Sequence, residues 1–168
     1  AVNADGSRIY VHSTGYHLVA FDNTGAQQWS FDTSTEGASA MNNSGHIRNQ
    51  SPTPSVDADG NVFIPVSFDE PKAATGGLFA VKPDGKKKWY TSYGDQVSFR
   101  FMAPMIFGDY VATNQRNTGN VNLEFEKQNF VILERNTGNT VSYHYCDSGP
   151  HGGLAALPFK GSWLLFAN

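Results

Sequence analysis

Seven polar residues have types that could do chemistry together: His46, Arg48, Asn49, Gln50, Arg100, Tyr145 and His151. A guanidinium binds a carboxylate through two parallel hydrogen bonds, and carboxamides bind hydroxyls, so Arg48, Arg100, Asn49 and Gln50 suit an anionic or sugar ligand. Imidazole and phenol groups move protons. On a uronic acid an arginine would neutralise the carboxylate, while His46, His151 or Tyr145 would remove the α-proton and protonate the leaving oxygen, a β-elimination. Two readings therefore stay open, a non-catalytic face that binds a carbohydrate or a protein, and a polysaccharide lyase acting on uronic-acid chains.

Other candidate groups carry less. Asp57-x-Asp59-Gly60-Asn61 imitates a calcium loop, but an EF-hand needs glycine at its sixth position and a carboxylate at its twelfth, where Val62 and Phe68 stand. A solvated hairpin turn is the reading adopted. Cys146 is the single cysteine, so neither a disulfide within the chain nor a cysteine pair for zinc is available. Asp69, Glu70, Glu124 and Glu126 include carboxylates for glycoside hydrolysis, yet loops of unreadable shape set their spacing. His12 and His17 flank a short turn and are expected at the surface. No metal site and no cofactor are expected.

The elements that must position these groups come from a repeat. Val2-Asn3-Ala4-Asp5-Gly6 recurs as Val56-Asp57-Ala58-Asp59-Gly60, with weaker copies around Gly108 and Gly161, so the landmark falls roughly every 50 residues. A second landmark lies between. Leu18-Val19-Ala20-Phe21-Asp22-Asn23-Thr24-Gly25 through Trp29 matches Leu78 through Trp89, and Val131-Ile132-Leu133-Glu134-Arg135-Asn136-Thr137-Gly138 is read as the third copy, with Ser142 in place of tryptophan. Each segment is β-branched and aromatic and ends at Asp-Gly or Thr-Gly, so the unit is four strands joined by alternating tight and long connections. Such a sheet cannot bury both faces alone. The fold class is all-β, a β-propeller of four-stranded antiparallel blades, about three and a half of them in a single partial domain over 1–168: blades at approximately 1–33, 50–93, 99–146 and 153–168.

The pattern Ala-x-Asp-x-x-Thr-Gly-x-x-x-Trp at Ala20 to Trp29, its variant at Ala80 to Trp89, and Val-Asp-Ala-Asp-Gly-Asn-Val-Phe from Val56 resemble the quinoprotein-type (PQQ-like) propeller repeat. The resemblance implies that Trp29 and Trp89 dock adjacent blades and that Gly25, Gly85 and Gly138 close the turns between third and fourth strands. Ser142 departs from it, so the third blade is expected to dock by other residues. Quinone-dependent members hold their cofactor over a tryptophan and beneath a disulfide of adjacent cysteines, and one cysteine cannot form it. The repeat is specific for fold and says little about activity.

Long connections all fall on one edge of antiparallel blades, so the seven polar residues are placed on one loop-rich face. With 12 Lys+Arg against 15 Asp+Glu and 16% charged residues, the chain has no basic footprint for nucleic acid. Apolar runs are too short for a membrane span. A secreted or periplasmic location is expected, with the remaining blades supplied by the rest of a longer protein, another chain or a second copy.

Overall fold

The computed structural model describes residues 1–13, 16–34, 53–69, 74–95, 97–98, 103–117, 128–146 and 154–167. Their named elements are all strands, and they form four antiparallel sheets in chain order. Sheet 1 is β1 (Arg8–His12), β2 (His17–Asp22) and β3 (Gln27–Asp32), with Val2 bridging to Ile9 along the inner edge. Sheet 2 runs β4 (Ser55–Val56), β5 (Val62–Asp69), β6 (Ala74–Val81) and β7 (Lys87–Asp95). In sheet 3, β8 (Val97–Ser98) and β9 (Met105–Phe107) both pair with β10 (Tyr110–Asn117), followed outward by β11 (Gln128–Glu134) and β12 (Thr140–Cys146). Sheet 4 is the hairpin β13 (Leu154–Phe159) and β14 (Ser162–Ala167).

The strand sequences explain why the sheets stack. In β5 the run Val62-Phe63-Ile64-Pro65-Val66 is buried at every position, which a strand tolerates only when both faces are covered. Val62, Ile64 and Val66, with Phe79 and Val81 of β6, meet Tyr10, Leu18, Ala20 and Phe31 of sheet 1. Phe63, Leu78, Ala80 and Trp89 point the other way and meet Val111, Val131 and Leu133 of sheet 3. The third core joins Phe107, Ala112, Phe130 and Ile132 to Ala156 and Leu165 of sheet 4. Each fully buried aliphatic or aromatic side chain contributes about 1.5–3 kcal/mol, so the cores between sheets, rather than pairing within a sheet, hold the stack.

Pairing registers define which positions are equivalent. Ile9 pairs with Phe21 and Val11 with Val19 in sheet 1, as Val62 pairs with Val81 and Ile64 with Phe79 in sheet 2. The third copy departs from the alignment read in the sequence. Its turn is anchored at Glu134, whose N–H bonds to Asn139, as Asp22 bonds to Ala26 and Lys82 to Lys86. The turn is therefore one residue longer, and Leu133 stands with Phe21 and Val81 rather than with Ala20 and Ala80. Ser142 pairs with Ile132 as Trp29 pairs with Ala20 and Trp89 with Ala80, so it does occupy the tryptophan position.

Candidate functional site

The two edges of the stack differ in build. At one edge lie only tight turns, and seven glycines there take positive φ, from +51° at Gly108 to +86° at Gly25. The long connections 33–54, 118–127 and 147–153 leave the opposite edge, where the four-residue connections 13–16 and 70–73 also lie, while 99–104 joins β8 to β9 along the inner side of β10.

The tight-turn edge is locked sheet to sheet by a motif that occurs twice. Trp29, the third residue of β3, donates its Nε1–H to the Pro83 carbonyl at 2.9 Å, and Trp89, the third residue of β7, donates to the Arg135 carbonyl at 3.0 Å. Each acceptor directly follows the residue that anchors its turn. The indole then lies on the turn glycine. A Cβ on Gly85 would stand 2.8 Å from Trp29, and one on Gly138 would stand 2.7 Å from Trp89, so only glycine allows the approach. Thr91 adds a hydrogen bond from its hydroxyl to the Gly138 carbonyl at 2.6 Å. At the third junction Trp163 of β14 takes over, stacking edge-on to Phe107 at 5.5 Å between ring centroids, with its Nε1 3.2 Å from where a Cβ on Gly108 would lie.

A buried ion pair reinforces the second junction. The Asp57 carboxylate accepts hydrogen bonds from the N–H of Asp59 and of Asn61 and from the Asn61 side chain, and meets Arg135 Nη1 at 3.4 Å. Ala58 and Asp59 are exposed, as a solvated hairpin turn requires, but the Asp57 side chain is only 1% exposed, so the expectation fails at that carboxylate. The carboxylate caps its own turn and reaches across to sheet 3.

His12 also departs from expectation. It is 8% exposed, paired in register with Leu18 on the face of sheet 1 that meets sheet 2, and neither ring nitrogen has a hydrogen-bond partner among the described residues. Burial pushes its imidazole down to about 4, with a further lowering from the nearby His17. His17 itself is exposed. Strand β1 alternates, and the register of its pairing with β2, which the sequence does not reveal, turns His12 inward with Tyr10. Thr113 of β10 is a second buried side chain with no hydrogen-bond partner among the described residues.

Of the residues assigned to ligand chemistry, His46, Arg48, Asn49, Gln50, Arg100 and His151 lie outside the described residues, and Tyr145 is placed on β12 by its backbone alone. Trp29, Trp89, Gly85 and Gly138 meet at the sheet junctions as described, whereas Gly25 has nothing within 4 Å of a Cβ built on it. Among the described residues no group of three or more His, Cys, Asp or Glu side chains could hold a metal ion. No helix among them is long and apolar enough to cross a membrane.

No family model matches the sequence, and no curated protein matches it either. Solved structures do. Quinohemoprotein alcohol dehydrogenase from Comamonas testosteroni superposes with a TM-score of 0.61 at 15% identity, over 95% of this chain and 30% of that one. The fold is that of a β-propeller. A variant of Synechocystis apocarotenoid oxygenase is also similar, with a TM-score of 0.50 at 13% identity over 94% of this chain and 36% of that one. The chain thus spans about a third of the length of the solved structures it matches. At these identities the likeness concerns the fold alone. The quinone site implied by the resemblance does not fit the described part of this propeller: the three tryptophans are each packed at a sheet junction, none is left as a free floor for a flat ring, and the lone cysteine excludes a disulfide of adjacent cysteines.

Proposed function

We propose that this propeller is a non-catalytic binding or scaffold module of the PQQ-like repeat type, whose loop-rich edge takes a carbohydrate or a protein partner in a secreted or periplasmic setting. The observation that carries the reading is the division of labour between the two edges. One edge is fixed by glycine turns and indole hydrogen bonds, and the three longest connections, 33–54, 118–127 and 147–153, leave the other, which is how a rigid scaffold presents variable binding segments. Arg48, Asn49 and Gln50 fall on the first of those connections and Arg100 between β8 and β9, and their donors suit the carboxylates and hydroxyls of an acidic sugar chain. In the repeat it resembles, chemistry varies while the blades persist.

The test is calorimetric titration with polygalacturonate and with a neutral glucan as control. Binding of polygalacturonate that falls at least tenfold in Arg48→Ala and in Arg100→Ala supports the sugar-binding form of the reading. A rise in unsaturated-uronate absorbance during the titration, lost in His46→Ala or His151→Ala, would replace it with the lyase, for which Tyr145 is the third candidate. If neither polymer binds, a protein partner is the remaining occupant of this edge, and loss of its capture in the same arginine variants is the result required.

A further inference from the structure

The seams of the stack are tied unequally. Between sheets 2 and 3, Trp89 Nε1–H bonds to the Arg135 carbonyl, the Thr91 hydroxyl to the Gly138 carbonyl, Lys88 Nζ to Asn136 Oδ1 at 3.0 Å and the Ser55 hydroxyl to the Pro104 carbonyl at 2.5 Å, while Asp57 meets Arg135. Between sheets 1 and 2 the indole bond from Trp29 to the Pro83 carbonyl stands beside a core of apolar side chains. Among the described residues the first seam is therefore the more lightly tied.

His12 lies in that seam. It follows Tyr10 by two positions on β1, so both face sheet 2, and both of its buried ring nitrogens lack a hydrogen-bond partner among the described residues. β5 and β6 turn aliphatic and aromatic side chains toward this face. The titratable groups that border it are Tyr10, Tyr16 ahead of β2, and Lys87, Tyr90 and Asp95 of β7, the last placed at the loop end by its register with Thr75. The charges of Arg8, Asp5 and Asp57 reach Tyr10 at the tight-turn end. His17, exposed and 3.3 Å from the Ser30 hydroxyl, adds only a further disfavour to a charged His12. Among the described side chains no carboxylate stands beside the ring to receive that charge.

We propose that this seam is an acid-operated joint: when His12 takes up a proton, sheet 1 parts from sheet 2, while sheets 2 and 3 stay together. A charged imidazole among apolar side chains is disfavoured relative to one in water, so the proton is taken where the seam is open. Held near 4 in the closed seam against an ordinary 6.5, His12 moves the balance toward the open form by about 70-fold between pH 7.5 and pH 4.5, and leaves the seam at full strength above pH 6.5. The connection 33–54 joins β3 to β4, with one end on each side of the seam. Parting therefore separates the ends of the segment that holds His46, Arg48, Asn49 and Gln50. Its consequence for a ligand rests on the binding reading above, whereas the parting itself does not.

The test is exchange of the indole N–H groups with D2O, followed in 1H–15N spectra from pH 7.5 to pH 4.5, assigned by Trp29→Phe and Trp89→Phe, and expressed as protection relative to free tryptophan at the same pH. Protection at Trp29 should fall by about 70-fold over that range, with a slope of one proton per opening, while protection at Trp89 holds. His12→Leu should keep Trp29 protected at both ends of the range, and His17→Gln should retain the fall. Constant protection of Trp29 in the wild-type protein, equal falls at Trp29 and Trp89, or a fall that survives in His12→Leu would overturn the proposal. If the leucine variant does not fold, a wild-type slope other than one proton per opening does the same. No ligand is added, so failure of the binding reading leaves this result unchanged.

Discussion

Trp89 and Gly138 contend for one volume: the ring lies 2.7 Å from where a Cβ on the glycine would be, and the glycine holds φ at +76°. Two separable costs follow for an alanine there. The backbone cost of a left-handed residue is about 1–2 kcal/mol, and overpacking adds roughly 1–3 kcal/mol. Gly85 under Trp29 carries both costs, whereas Gly161, at φ +77° with nothing within 4 Å, carries only the first. Chemical denaturation should therefore rank Gly138→Ala and Gly85→Ala as more destabilising than Gly161→Ala by at least about 1 kcal/mol. Equal losses would mean that the indoles move aside freely.

The Asp57–Arg135 pair is unequal in its two halves. Asp57 is held by three donors from its own turn besides the guanidinium, and its removal orphans the two from Asn61 in a buried site. Asp57→Ala should cost about 3 kcal/mol. Arg135→Met leaves the carboxylate with its three local donors and keeps much of the side-chain packing, so about 1 kcal/mol is expected. A double-mutant cycle between the two positions measures the share that belongs to the pair, and a coupling near zero would show that the carboxylate acts only within its own turn.

Ser142 tests whether a tryptophan stabilises this position without a receiving turn. It occupies the tryptophan place of sheet 3, but sheet 4 as described is a single hairpin and offers no turn between third and fourth strands. Ser142→Trp should change stability by less than about 1 kcal/mol, because an indole with no cradle gains no buried area. Its fluorescence should be quenched by acrylamide as readily as that of an exposed indole. A clear gain in stability with a protected indole would show that the repeat's tryptophan needs no partner glycine.

Much of this fold was legible because docking imposes residue types that cannot be exchanged. Gly25, Gly85 and Gly138 and the tryptophans Trp29 and Trp89 stand out in the sequence since a turn at positive φ and a flat donor ring each admit few substitutes. The single-residue lengthening of the Glu134–Asn139 turn was not legible. Arg135-Asn136-Thr137-Gly138 keeps the Asn-Thr-Gly of the first copy, and only the hydrogen bond from Glu134 to Asn139 shows that the anchor has moved. Asp57 was misjudged because a short acidic turn reads as solvated until the adjacent sheet is placed on it. The ligand-binding candidates are a different case. His46, Arg48, Arg100 and His151 sit in connections with no periodicity, so neither strand alternation nor a repeat register fixes where their side chains go.

Burial of an uncharged His12 makes the fold acid-sensitive. Its imidazole is held near 4 when folded, against an ordinary value of 6.5, so below pH 6.5 the unfolded chain takes up a proton that the folded chain refuses. Stability from this group is therefore full above about pH 6.5 and is lost as the pH falls from there toward 4. The loss is at most on the order of 3 kcal/mol, the full shift converted at about 1.4 kcal/mol per unit. His12→Leu removes the titration and the two unpartnered nitrogens while filling the same space beside Leu18. Urea unfolding at pH 7.5 and at pH 4.5 should show the wild-type protein losing more stability between the two than the leucine variant does, by about 2 kcal/mol. Parallel pH profiles for the two proteins would mean that the acid sensitivity lies elsewhere and that His12 finds a hydrogen-bond partner in solution.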